Sequence, residues 1–201
     1  KNGIPDDFKY VAVIESGLVN VVSPAGAKGI WQFMPDTAKE IGLEVNENID
    51  ERYHLEKATE AACVYFLKAK EKFGNWTLVA AAYNAGGTGV KKQMDTQRVT
   101  NYYDLLLNDE TSRYVFRILA LKQIMEHPEQ YGFPIAEEEQ YRIVATKKIV
   151  IDSSVTDLAS LAIQQGINYK ILKIHNPWLR TTKMLNPTNK KYQLEIPLEG
   201  Y

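Results

Sequence analysis

A single cysteine, Cys63, and three widely separated histidines, His54, His127 and His175, are all that this 201-residue chain offers for disulfides or soft metals. One thiol excludes an internal disulfide framework and a multi-cysteine zinc site, and scattered imidazoles give a histidine metal site little to work with. An excess of either charge is missing too, with 24 Lys and Arg against 25 Asp and Glu. A protein living off phosphate contacts would carry a basic surplus, so no nucleic acid partner is expected. The longest apolar run, Ala61 to Leu67, has seven residues, far fewer than the roughly 20 that span a bilayer. A starting Met and a signal peptide are absent as well: the chain opens Lys1-Asn2-Gly3 and reads as trimmed. Neither an internal repeat nor a low-complexity segment is found. What remains is 45% hydrophobic and long enough for one large domain, or one domain and a small module.

The first two thirds read as helix. Pro5-Asp6-Asp7 is a helix start, with acids at the positive dipole end. The run Tyr10 to Ile14 is apolar on every side and predicts a buried helix, closed at Glu15-Ser16 by Gly17 in a left-handed cap. Further helices are expected at 35–41, 57–73, 76–85 and 112–127, the one at 57–73 from apolar spacing and each of the others bounded by Gly or Pro. Composition shifts near 134–140, where Glu137-Glu138-Glu139 leads into Tyr141-Arg142-Ile143-Val144-Ala145 and then Lys148-Ile149-Val150-Ile151, rich in β-branched residues. Helices at 155–165 and 168–175 and a closing strand at 192–196 complete a small strand–helix–helix–strand unit. The chain therefore divides into 1–135 and 136–201.

Glu15 is the residue that asks for an explanation. Burial behind an apolar helix and the negative end of the helix dipole both push a carboxyl toward its neutral form. A carboxylic acid still protonated near neutral pH is what general-acid catalysis requires. The alternative is a helix-terminal Glu turned to water. Downstream, Gly26-Ala27-Lys28-Gly29 lets the backbone approach something closely. Trp31, Gln32 and Met34 then add an aromatic face, an amide and a soft apolar side chain. That mixture suits a sugar; alternatively the segment is a tight turn feeding a helix, with Trp31 in the core.

Three blocks in order resemble one family. They are Glu15-Ser16 through Gly29-Ile30-Trp31-Gln32-Phe33-Met34-Pro35, then Ala82-Tyr83-Asn84-Ala85-Gly86, then Glu110-Thr111-Ser112-Arg113-Tyr114-Val115. Together they resemble the family 1 lytic transglycosylases, the soluble-lytic-transglycosylase (SLT) domain related to goose-type lysozyme, and within it the membrane-bound type D subgroup. The resemblance implies an α+β class: a mainly helical lysozyme-like catalytic domain followed by a small strand–helix–helix–strand module. It implies a peptidoglycan-cleaving lyase of the cell envelope, on the periplasmic side, held at a membrane only through an anchor. Glu15 would be the catalytic acid. Ser16, Ser23, Gln32, Met34, Tyr83, Asn84, Ala85 and Tyr114 would contact or frame the sugars, while Glu110 would orient its neighbours. No metal and no cofactor are implied. The expected partner is the peptidoglycan glycan strand.

Two departures from the family pattern stand out. The stretch Leu18-Val19-Asn20-Val21-Val22 lacks a residue and a Pro common in relatives, which bears on Ser23. His54 occupies a place where relatives often carry an acid, and reads as structural. The implied reaction breaks the bond between N-acetylmuramic acid and N-acetylglucosamine without water, giving 1,6-anhydro products. Its rivals are goose-type hydrolysis, with Asp36 or Asp50 as second acid, and a catalytically silent wall-binding protein. The unit 136–201 resembles a LysM module, although Ile151-Asp152-Ser153-Ser154 replaces the usual Gly-Asp-Thr turn; its role is sugar binding or packing.

Overall fold

The computed structural model describes residues 3–199; the termini Lys1-Asn2 and Gly200-Tyr201, which fall in the two expected stretches, lie outside the described residues. The described residues are mainly helical with one small sheet. Asp6–Phe8 form a 3-10 turn that runs straight into helix α1, Lys9–Ser16, and Gly17 caps it at φ +61° as expected. Pro35–Glu40 make α2, Leu55–Phe73 α3 and Trp76–Ala85 α4. Asn75 starts α4 because its side chain accepts from the Leu78 amide at 2.8 Å, satisfying one of the free N–H groups of the first turn. The α4 stretch Leu78 to Ala82 is wholly buried, and its three alanines let neighbouring helices come close.

One helix was not expected. Gly87–Gln97 forms α5, although Gly86-Gly87 reads as a stop. Val90 is its one buried residue, with Met94 one turn on packed against the same core, so a single apolar pair docks an otherwise polar helix. Asp109–Ser112 (α6) is a single turn before Tyr114–Glu126 (α7), where one helix over 112–127 was expected. Lys122 pairs with Asp7 at 2.8 Å and the Tyr10 hydroxyl reaches Glu126 at 3.3 Å, laying α7 along α1.

The C-terminal unit has the expected order: β1 Thr146–Ile151, α8 Leu158–Gln164, α9 Tyr169–His175 and β2 Tyr192–Pro197. The two strands pair antiparallel from Thr146 with Pro197 to Ile151 with Tyr192. The β-branched stretch Tyr141–Val144 is not a strand. Six residues of β2 are already matched by β1, so these upstream residues lack a ladder partner and stay exposed.

Two apolar cores result. The larger gathers α1 to α7 around Phe8, Phe66, Trp31 and Trp76. The second holds Leu158, Leu172, Trp178, Leu179, Met184, Leu194 and Ile196, yet it also takes in Ile49 and Tyr53 from the first stretch. Segment 48–53 therefore belongs to both. Ile49 makes a β-bridge with Leu179, the Asp50 amide donates to Trp178 at 2.9 Å and the Arg180 amide to Asn48 at 2.8 Å.

The other side of that segment carries buried charge. Asp50 and Arg52 are each 3% exposed and joined bidentately at 2.8 and 2.7 Å. Arg52 Nη1 also donates to the carbonyls of Phe33 at 3.0 Å and Gly26 at 3.3 Å. The Arg52 carbonyl in turn lies where a Cβ on Gly29 would sit, 1.9 Å away, so only glycine fits there. Substituting Arg52→Met leaves buried Asp50, among the described residues, with the Lys28 cation alone at 3.7 Å and takes from the Gly26 carbonyl its Arg52 partner, and should lower unfolding free energy by about 3 kcal/mol. Urea denaturation of the full chain measures it; a loss under about 1 kcal/mol would show the pair to be dispensable.

Candidate functional site

The α1–α7 contact brings together residues 99 positions apart: the Tyr114 hydroxyl donates to Glu15 Oε1 at 2.5 Å. Glu15 is half-buried at the end of α1, and Tyr114 is fully buried. Desolvation is the largest influence on Glu15 and raises its pKa above the ordinary carboxyl value. The negative charge of Glu110 adds to this, while the Tyr114 hydrogen bond and Arg117 oppose it, and the net direction is up. Burial also raises the Tyr114 phenol, with Glu15 contributing, so Tyr114 stays a donor throughout the neutral range.

Tyr83, at the end of α4, lies close enough to feel the Glu15 charge; burial raises its pKa first and Glu15 second. Its hydroxyl donates to the Trp31 carbonyl at 2.5 Å, which ties α4 to the loop before α2. Asn84 joins the third block: its amide donates to Glu110 at 3.1 Å, and Thr111 donates to its carbonyl at 2.8 Å. For Glu110, expected to orient its neighbours, this hydrogen bond is the contact with Asn84. Ala85 is exposed where α4 ends, beside Gly86 at φ +79°.

Residues 17–34 run from the end of α1 to the start of α2, and their polar groups largely build the loop itself. Ser16 Oγ lies 2.8 Å from the Ile30 carbonyl and 3.0 Å from that of Ala12, pinning the loop to α1. Ser23 Oγ accepts from the Ala27 amide at 3.0 Å and closes a turn. Gln32 has a left-handed backbone, φ +49°, held by its own amide donating to Gly29 at 2.7 Å and Val21 at 3.1 Å. Met34 is 42% exposed at the loop's end. Trp31 takes the core alternative: its indole N–H donates to Thr59 at 3.0 Å and its ring sits edge-on to Phe66. Sequence reasoning missed Arg52 and Arg117. Nothing in the pattern marks Arg52 as buried, whereas Arg117, three positions after Tyr114 on α7, was open to a helical-spacing argument.

The two nominated second acids differ. Asp50 has both oxygens engaged by buried Arg52, and Asp36 is exposed in the first turn of α2. His54 stacks on Trp178 at 5.8 Å and meets Glu56 at 3.1 Å; it packs between the two parts of the chain.

Two family models match: the transglycosylase SLT domain over residues 1–106, more than half of the chain, and the soluble lytic transglycosylase C-terminal LysM-like domain over 147–200. The chain belongs to the transglycosylase SLT domain family. Among curated proteins it is 31% identical over 182 residues to the membrane-bound lytic murein transglycosylase D of Escherichia coli K12, and equally to that of Escherichia coli O6:H1. Those matches cover 88% of this chain but 40% of each relative. A solved inactive mutant of the lytic transglycosylase Slt from Pseudomonas aeruginosa aligns at 19% identity and TM-score 0.47, over 70% of this chain and 25% of that one.

A raised carboxyl pKa makes a stability prediction with a definite sign. The folded state binds the Glu15 proton more tightly than the unfolded state, so this contribution is full below the ordinary carboxyl pKa and is lost as pH rises through the raised value. A Glu15→Gln variant keeps an acceptor for Tyr114 and removes the buried charge. It should melt a few degrees higher than the parent at pH 7, with the gap closing toward pH 4. Calorimetry at the two pH values checks this; an equal gap at both would deny the burial effect.

Proposed function

We propose that this chain cleaves peptidoglycan between N-acetylmuramic acid and N-acetylglucosamine as a lytic transglycosylase, with Glu15 as acid and then base. The supporting observation is the raised carboxyl of Glu15 held by the buried Tyr114 hydroxyl. Protonated Glu15 donates to the bridging oxygen, and the bond breaks through an oxocarbenium-like state. The carboxylate left behind takes the proton of the muramyl C6 hydroxyl, whose oxygen closes on C1 as a 1,6-anhydro ring. The proton given is the proton recovered, and no water enters. Tyr114 favours the first half: its hydrogen bond stabilises the carboxylate that forms as Glu15 gives up its proton, while burial, which raises the pKa, favours the proton's recovery. Engagement of Asp50 by Arg52 removes one candidate for positioning water and favours this route over hydrolysis.

The glycan would lie between the 17–34 loop and the Asn84-Ala85 turn, with Met34 against a ring face and Asn84 against an acetamido group. Ser16, Ser23 and Gln32 would act by framing this cleft. We read 1–135 as the catalytic domain and 136–201 as a module that adds a second glycan contact. The name of the curated relatives and the nature of the substrate favour the cell envelope, periplasmic side. Among the described residues no helix is long and apolar enough to cross a membrane.

Mass spectrometry of peptidoglycan digested by the chain should show anhydromuramyl ends, and Glu15→Gln should cut product release by about 100-fold or more. Reducing-end products would instead establish hydrolysis, and full activity in Glu15→Gln would remove the assignment. Tyr114→Phe takes away an interaction that lowers the Glu15 pKa. Since the acid must be protonated to act, its high-pH activity limb should move to higher pH. A limb that stays in place or moves down would separate Tyr114 from the acid.

A further inference from the structure

Segment 48–53 carries side chains in two directions. Ile49 and Tyr53 enter the second core, while Asp50 and Arg52 turn to the loop that forms one wall of the cleft. Each step between the C-terminal unit and the site is a short contact. Trp178 and Arg180 bond the backbone of residues 50 and 48 at 2.9 and 2.8 Å, and the Arg180 guanidinium lies 4.0 Å over the Tyr53 ring. Asp50 then aims Arg52 at the carbonyls of Gly26 and Phe33, and the Arg52 carbonyl fills the space beside Gly29. The loop so held offers the Ile30 carbonyl to Ser16 and the Trp31 carbonyl to Tyr83, the neighbours of Glu15. No residue in this path other than the last pair lies at the acid.

We propose that residues 178–180 of the C-terminal unit are positioning residues for catalysis, acting through Asp50 and Arg52 on the 26–33 loop. The unit is then a working part of the active site, independent of whether it also touches glycan. This rests on the reading of Glu15 as the acid. Leu179, fully buried against Ile49, transmits the alignment; Leu194, equally buried in β2, shares the core and lies outside the path.

The test compares full-chain Leu179→Ala and Leu194→Ala below their melting midpoints. Leu179→Ala should lower kcat roughly tenfold with KM little changed, the signature of a cleft slightly misaligned. It should also speed amide hydrogen exchange at Lys28, Gly29 and Gln32, whose N–H groups bond within the loop. Leu194→Ala should leave both readouts near the parent, and Leu179→Met should restore them. Arg180→Ala, an exposed truncation, gives the same loop exchange change with a smaller kcat loss, and serves should Leu179→Ala not fold. Parent-like loop exchange in these variants, raised exchange with unchanged kcat, or equal effects from Leu194→Ala would each overturn the proposal. Should Glu15→Gln retain full turnover, the acid assignment fails while the exchange comparison still reports the coupling.

Discussion

The buried pair of Asp50 and Arg52 is the constraint on which the rest of the molecule depends. A buried guanidinium and carboxylate lose their hydration, and the pair persists only when each donor and acceptor has a partner. Here the carboxylate receives three hydrogen bonds from Arg52, one of them from its backbone amide, and the Nη1 donors meet the carbonyls of Gly26 and Phe33. Those carbonyls face inward because the loop must turn sharply between them, with Gly29 flush against the Arg52 backbone. An apolar pair of similar volume would satisfy the packing but take from the Gly26 carbonyl its Arg52 partner and leave Phe33 with the Lys28 amide alone. The ion pair therefore contributes specification of one loop path more than raw stability.

Glu15 shows the opposite tension. Its burial opposes ionisation, and the Glu110 charge adds to that, while Tyr114 and Arg117 pull the other way. A structural carboxylate would be better served by more donors or by solvent. The fold instead supplies one phenol, 99 residues along the chain, and burial keeps the carboxyl above its ordinary pKa. Such a group costs stability at neutral pH, as functional sites commonly do.

Much of this was legible in the chain. The Tyr10 to Ile14 run ending at Glu15, the Gly17 cap and the bounds of α3, α4 and β2 follow from periodicity and punctuation. The three blocks around Glu15, Tyr83 and Tyr114 meet in space. Helix α5 escaped notice because Gly86-Gly87 reads as a stop, while Val90 and Met94 supply too short an apolar stripe to outweigh it. Tyr141–Val144 has the composition of a strand, but composition cannot show that its partner runs out of residues. The roles of Ser16 and Gln32 as loop ties, and the burial of Arg52, depend on long-range packing that no local pattern encodes.

The two cores pose a last physical question, whether the C-terminal unit could move freely on the exposed stretch 131–145. Release would uncover Ile49, Tyr53, Trp178 and Leu179, all buried at present, and would open the Lys190–Glu44 pair and the Tyr192–Glu44 hydrogen bond beside them. Burying apolar surface contributes about 25 cal/mol per Å², so four such side chains outweigh the entropy regained by a tether. The unit is therefore held where it is by segment 48–53 together with Glu44.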